Sequence, residues 1–151
     1  MRVVVQRVSE AAVAVDGEII AAIGRGLVLL VGLAAGDSEA NVAWMAGKIA
    51  GLRVFTDAGG LMNAALADVG GRVLAVPQFT LLADCRKGRR PSFDAAMAPA
   101  HAAPLFDRFV TLLAARIGPV ATGRFGASMQ IRLVNDGPVT FVIERSPALG
   151  R

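Results

Sequence analysis

From Leu27 to Val31 the chain runs Leu-Val-Leu-Leu-Val without a polar residue, directly after Gly24-Arg25-Gly26. A strand sends successive side chains to opposite faces, so a run that is apolar at every position must be covered on both. This segment is therefore expected to be a central strand, and the rest of the chain has to supply a layer on each side of it. The apolar stretch extends only to Ala35, well short of the roughly 20 residues that cross a bilayer as a helix. The opening Met1-Arg2-Val3-Val4-Val5-Gln6-Arg7 lacks the apolar centre and small-residue cleavage site of a secretory signal. No membrane partner is expected, and the cytoplasm is the expected compartment.

The flanking segments suggest what covers that strand. Val3-Val4-Val5 with Val8, then Val13 and Val15 alternating with alanine, read as two strands. Asp16-Gly17 turns the chain into Glu18-Ile19-Ile20, giving a β-meander. Asp37 or Ser38 can cap a helix in which Val42, Met45, Ala46 and Ile49 recur at helical spacing. Leu52 to Thr56 alternates as a strand, Asp57 to Gly60 forms a turn, and a loop with a short helical piece is expected from Asn63 to Gly70. Val73 to Val76 is a strand running into Pro77, which argues for a strand end or an edge. Leu105, Phe106, Phe109, Leu112 and Leu113 mark a second helix between His101 and Ile117. Met129 to Val134 and Val139 to Ile143 read as strand, turn, strand around Asn135-Asp136-Gly137-Pro138. Two principal helices against a mainly antiparallel sheet make an α+β fold, with residues 1–151 as a single domain and 146–151 as a loose tail.

Composition removes several kinds of chemistry. Cys85 and His101 are each the only residue of their type, so no disulfide, cysteine-based metal site or histidine-rich metal site is expected, and no metal or other cofactor. His101 begins a helix among alanines and is assigned no chemistry, and Cys85 is read as an incidental thiol. The apolar share of 54% exceeds the roughly 45–50% of an ordinary soluble domain, which favours an interface between subunits. The formal net charge of +4, carried mostly by arginine, makes a polyanionic partner plausible. Arg86-Lys87-Gly88-Arg89-Arg90 concentrates four of these charges on a predicted loop. Two readings stand there: side chains fanned toward RNA phosphates, or a solvated loop.

Two further segments carry candidate chemistry. Gln78-Phe79-Thr80 follows Pro77 at a strand end, where main-chain N–H groups can leave the ladder and point at a developing oxyanion. The alternative is a plain strand with Phe79 in the core and Thr80 exposed. Thr80 has no evident base to activate it as a nucleophile. Gly137-Pro138 couples a residue of wide conformational freedom to one that restricts its predecessor; taken alone it reads as a trans proline in a turn.

Taken together, Gln78-Phe79-Thr80-Leu81, Arg90-Pro91-Ser92-Phe93, Thr122-Gly123-Arg124-Phe125 and Asn135-Asp136-Gly137-Pro138-Val139-Thr140-Phe141 resemble, in order and spacing, the D-aminoacyl-tRNA (D-tyrosyl-tRNA) deacylase family. Gln6-Arg7-Val8 and Arg53 to Asp57 extend the likeness from Met1 to about Glu144. The resemblance implies a barrel-like protomer in a two-fold homodimer with tRNA as partner, DNA not being expected. It also implies hydrolysis of D-aminoacyl-tRNA, and of glycyl-tRNA, as proofreading in translation.

By the same resemblance, Gly137-Pro138 is cis and enters the partner's pocket, where its carbonyls would hold the substrate amino group and exclude an L side chain. Arg7 would steady that motif, and Phe125 and Met129 would lie near the aminoacyl-adenosine. Main-chain N–H groups of Gln78, Phe79 and Thr80 would polarise the ester, with the terminal 2′-hydroxyl of the tRNA assisting. The family's usual serine before Gln-Phe-Thr-Leu is Pro77 here, which excludes a serine nucleophile and bears on substrate range. Rival readings are a non-catalytic RNA-binding dimer of the same fold and a hydrolase of free D-amino acid esters, for which Arg86, Lys87, Arg89 and Arg90 would be irrelevant.

Overall fold

The computed structural model describes residues 1–146; the last five residues of the expected tail lie outside the described residues. The elements are β1 (Arg2–Val15), β2 (Glu18–Ile23), β3 (Gly26–Gly32), α1 (Glu39–Ala50), β4 (Arg53–Thr56), β5 (Met62–Ala65), β6 (Arg72–Pro77), α2 (Pro99–Ile117), β7 (Val120–Thr122) and β8 (Gln130–Glu144). Short 3₁₀ turns occupy Ala67–Val69 and Phe79–Leu82. Neither α-helix is long and apolar enough to cross a membrane.

The organising element is β1. Its first half pairs with β3 and its second with β2, while β8 runs antiparallel along its other edge from Arg2↔Glu144 to Ala14↔Gln130. On the far side of β3 come β6 and then β7. The apolar run is thus central, as its pattern requires. Leu27, Leu29 and Val31 pack with Val42, Met45 and Ile49 of α1 and Phe106, Phe109 and Leu113 of α2. Val28 faces the opposite way, among Val8, Val13, Leu74 and Val76, with residues of β2, β7 and β8 closing over them. The second layer is therefore the sheet itself, curled into a nearly closed barrel. Each large apolar side chain so buried contributes about 1.5–3 kcal/mol.

Several expectations need correction. The sheet is mixed, because β3–β6 and β6–β7 are parallel. The reason is connectivity: α1 lies between β3 and β6, and α2 between β6 and β7, and such crossovers return the chain to the same end of the sheet. β6 is consequently interior, with Pro77 at its end. The two N-terminal strands are one 14-residue strand, and the stretch after Asn63 contains β5 as well as a short helical piece. The last strand pair is a single strand, since both halves of β8 pair in continuous order with β1.

One buried ion pair helps shape the ground near the site. The Met1 ammonium donates to Asp37 Oδ1 at 2.8 Å, with both groups fully buried, and Asp37 Oδ2 accepts from the Ala34 N–H at 2.7 Å. The loop so fixed is tied to the segment leading into α2: Ala35 N–H donates to Ala95 O, and Met97 N–H to Leu33 O, both at 2.9 Å.

A candidate active-site cavity and a bulge on the opposite strand

At the end of β6 the chain leaves the sheet in the turn Phe79–Leu82. Gln78 N–H donates to Val31 O at 2.8 Å, so its main-chain donor is already engaged. The first bond of the turn runs from Leu81 N–H to Gln78 O at 3.3 Å. The N–H groups of Phe79 and Thr80 precede it, and no acceptor meets them among the described residues. This narrows the expected trio of donors to two. The Thr80 hydroxyl is hydrogen-bonded to the Gln78 side-chain amide.

Beside the turn lies a cavity of about 520 Å³. Pro77, Gln78 and Phe79 form one wall, Phe125 and Met129 another, and Met97 and Ala98 ahead of α2 a third. No titratable side chain borders it among the described residues. Phe79 is 57% exposed, which removes the alternative that buries it in a strand, and Phe93 meets it edge-on with ring centroids 5.1 Å apart. Met129 is held from behind, its sulfur accepting the Arg124 N–H at 3.3 Å. Gly123 leaves room for that sulfur, since a Cβ there would stand 2.7 Å from it.

The second constellation sits on β8. Asn135 pairs with Val8 and Thr140 with Gln6, so five steps along β8 span two along β1, and the surplus residues around Gly137-Pro138 bulge outward. This is a large bulge rather than a turn. The peptide bond between Gly137 and Pro138 is cis, as the resemblance implied, and both residues are exposed. Arg7, the β1 residue passed over between those two pairings, is buried beneath the bulge. Its Nε donates to Asp136 O at 3.0 Å and lies 3.3 Å from Asp136 Oδ2, and its Nη1 donates to Val54 O at 2.7 Å. Asn135 Oδ1 accepts the Val139 N–H at 2.7 Å and closes the bulge from within.

A third group is the basic loop. Reciprocal main-chain bonds between Asp84 and Ser92, at 2.7 and 3.0 Å, pinch its base. The Arg86 side chain folds back onto Asp84, and its hydrogen bonds, from the guanidinium first and then the main-chain N–H, pull the Asp84 carboxyl down to about 2. Lys87, Arg89 and Arg90 are exposed and have no carboxylate partner among the described residues.

The structure thus brings Pro77, Gln78, Phe79, Phe125 and Met129 together, with Thr80 in the adjoining turn, and separately brings Arg7 to Gly137-Pro138. Neither Arg7, Gly137 nor Pro138 borders the cavity. Sequence reasoning missed Phe93 as a rim residue, and missed the Met97-Ala98 wall, which carries no chemical signal. The Arg90 to Phe93 motif was the available pointer to Phe93.

Residues 4–144 match the family model described as D-Tyr-tRNA(Tyr) deacylase. A D-aminoacyl-tRNA deacylase of Geobacter metallireducens is 52% identical over 150 residues, covering 99% of each chain. One of Chloroflexus aurantiacus is 58% identical over 144 residues, covering 95% of this chain and 90% of its own. Among solved structures, one titled c-Myc DNA Unwinding Element Binding Protein is 40% identical with a TM-score of 0.91, covering 97% of this chain and 99% of its own. Another, titled as a probable eukaryotic D-amino acid tRNA deacylase, shares the fold with a TM-score of 0.81 at 21% identity, covering 94% of this chain and 97% of its own. The chain belongs to the D-Tyr-tRNA(Tyr) deacylase family.

Proposed function

We propose that this chain hydrolyses the ester of D-aminoacyl-tRNA and of glycyl-tRNA, in the cytoplasm, as a homodimer. The observation that carries the reading is the cavity itself: main-chain donors at Phe79 and Thr80 stand beside a pocket without an acid, a base or a nucleophile among the described residues. Such a wall can stabilise negative charge on an ester oxygen but has no side chain to take a proton. It therefore suits an ester that is already activated and carries a ribose hydroxyl next to its leaving oxygen. Water adds to the carbonyl carbon, the ester C–O bond breaks, and the oxygen leaves with a proton as the ribose hydroxyl. The two N–H groups hold the carbonyl oxygen while it bears charge.

Phe125 and Met129 supply apolar surface for the terminal adenosine, and Lys87, Arg89 and Arg90 supply charge for the acceptor-stem phosphates. Chirality is checked by Gly137-Pro138 of a second copy, placed over the cavity so that its carbonyls receive the amino group and an L side chain collides with it. Glycine, with no side chain, passes. Exposure of the bulge on its own chain supports a role toward another molecule. So does the apolar surface that β8 leaves exposed at Val134, Phe141 and Val142.

The solved relative whose title names a DNA element favours one alternative, nucleic-acid binding without catalysis. Purified protein assayed on D-, L- and glycyl-tRNA separates the two. Release of D-amino acid and glycine, with L-aminoacyl ester spared, is the expected result. Inactivity on every such tRNA would leave only the binding reading.

A further inference from the structure

We infer that Arg2 is a positioning residue for the Phe79–Leu82 turn, setting its donors without touching substrate. This rests on the reading of that turn as the element that polarises the ester.

Arg2 opens β1 and pairs across the sheet with Gly32 of β3. Gly32 is where the turn comes to rest: a Cβ there would lie 2.4 Å from Leu82 Cδ2 and 3.1 Å from both Gln78 O and Leu81 Cβ. The missing side chain lets the turn sit directly on the β3 backbone. Arg2 reaches over that seat from the neighbouring strand, and its Nη1 donates to Leu81 O at 2.5 Å. Leu81 O is one of the last carbonyls of a four-residue turn and needs a partner from outside it, whereas Thr80 O already accepts the Ala83 N–H at 3.1 Å. The Arg2 Nε is paired with Glu144 at the end of β8, which fixes the direction of the guanidinium.

The consequence follows from the size of the turn. Its N-terminal end presents the Phe79 and Thr80 N–H groups, and its C-terminal end is clamped by Arg2. Four residues are too few to absorb a tilt, so releasing one end re-aims the other. Displacements of about 1 Å at such donors are costly to the chemical step, while ground-state binding in the apolar cavity is left alone.

The test compares steady-state deacylation of D-aminoacyl-tRNA by the wild type, Arg2→Ala, Arg2→Lys and Glu144→Gln, with a melting curve for each. Arg2→Ala is expected to lower kcat about tenfold with KM within about twofold, the loss of one charge-assisted bond to a carbonyl. Arg2→Lys recovers part of the rate because an ammonium can still reach Leu81 O, and Glu144→Gln shows a smaller loss of the same kind at unchanged melting temperature. A kcat for Arg2→Ala equal to that of the wild type, or a loss of rate matched by loss of folded protein in all three variants, overturns the assignment. Thr80→Pro, which deletes a donor, is measured alongside against Thr80→Val. If Thr80→Pro is no more impaired than Thr80→Val, the reading of the turn fails; if it is far more impaired while Arg2→Ala is normal, only the role of Arg2 fails.

Discussion

The cavity under the Phe79–Leu82 turn and the bulge on β8 hold most of the candidate site residues, and they are built on opposite plans. The cavity is concave and apolar, assembled from the end of β6, the approach to α2 and the start of β8, with charge kept away from its walls. The bulge is convex and exposed, set in its shape by a buried arginine and an asparagine side chain. On the proposed reading, one has a place for an ester and nothing to judge its handedness. The other, on that reading, offers main-chain carbonyls, and its residues do not border the cavity of their own chain. The proposed reading joins them across two copies, which explains why a single chain can be rich in both and still keep them apart.

The comparison can be broken most severely at Gly137. Its φ is +137°, a region L side chains avoid, and an added Cβ would meet Val139 Cγ2 at 2.6 Å and the Arg7 guanidinium at 3.2 Å. Gly137→Val is therefore expected to deform the bulge while the β1–β8 pairing on either side holds the fold. Deacylation of D-aminoacyl-tRNA should fall roughly 100-fold in kcat/KM with a melting temperature close to that of the wild type. A variant that keeps full activity would show that the bulge plays no part in the reaction.

A smaller effect is expected at the basic loop, which belongs to neither region. Arg89→Ala with Arg90→Ala should weaken tRNA binding about tenfold at low salt and reduce the salt slope by up to about two. Arg86→Ala should do less to the slope, since that guanidinium already belongs to Asp84. Unchanged affinity and slope in the double variant would remove the loop from the tRNA surface.

How much of this could be read beforehand depends on which force decided each element. Periodicity located both helices and the central strand, because burial on one face or two leaves a direct mark on the pattern. It failed for β8, where the run of Asn, Asp, Gly and Pro carries every local mark of a turn. What overrode that signal is pairing with β1, a partner more than a hundred residues away. The parallel placement of β6 was hidden for a similar reason, since it follows from where two helices cross over. At the site, motifs named Gln78, Phe79, Phe125 and Met129 through family likeness, and the cavity gathers them. That Gln78 N–H is spent on Val31 O could not be read, because it depends on the register of β6 against β3. Arg2 carried no signal in the sequence, since its bond to Leu81 O depends on the turn being seated against Gly32.

The claim that the bulge of one copy serves the cavity of another can be measured in mixed dimers. Chains carrying Gly137→Val and chains carrying Thr80→Pro, each inactive alone on the present account, are co-expressed with different tags and the mixed species isolated. If the bulge works across the interface, one of the two sites combines an intact cavity with an intact bulge, and about half the wild-type rate returns. If mixed dimers form and stay inactive, the bulge serves its own chain or none, and the cross-subunit account is wrong.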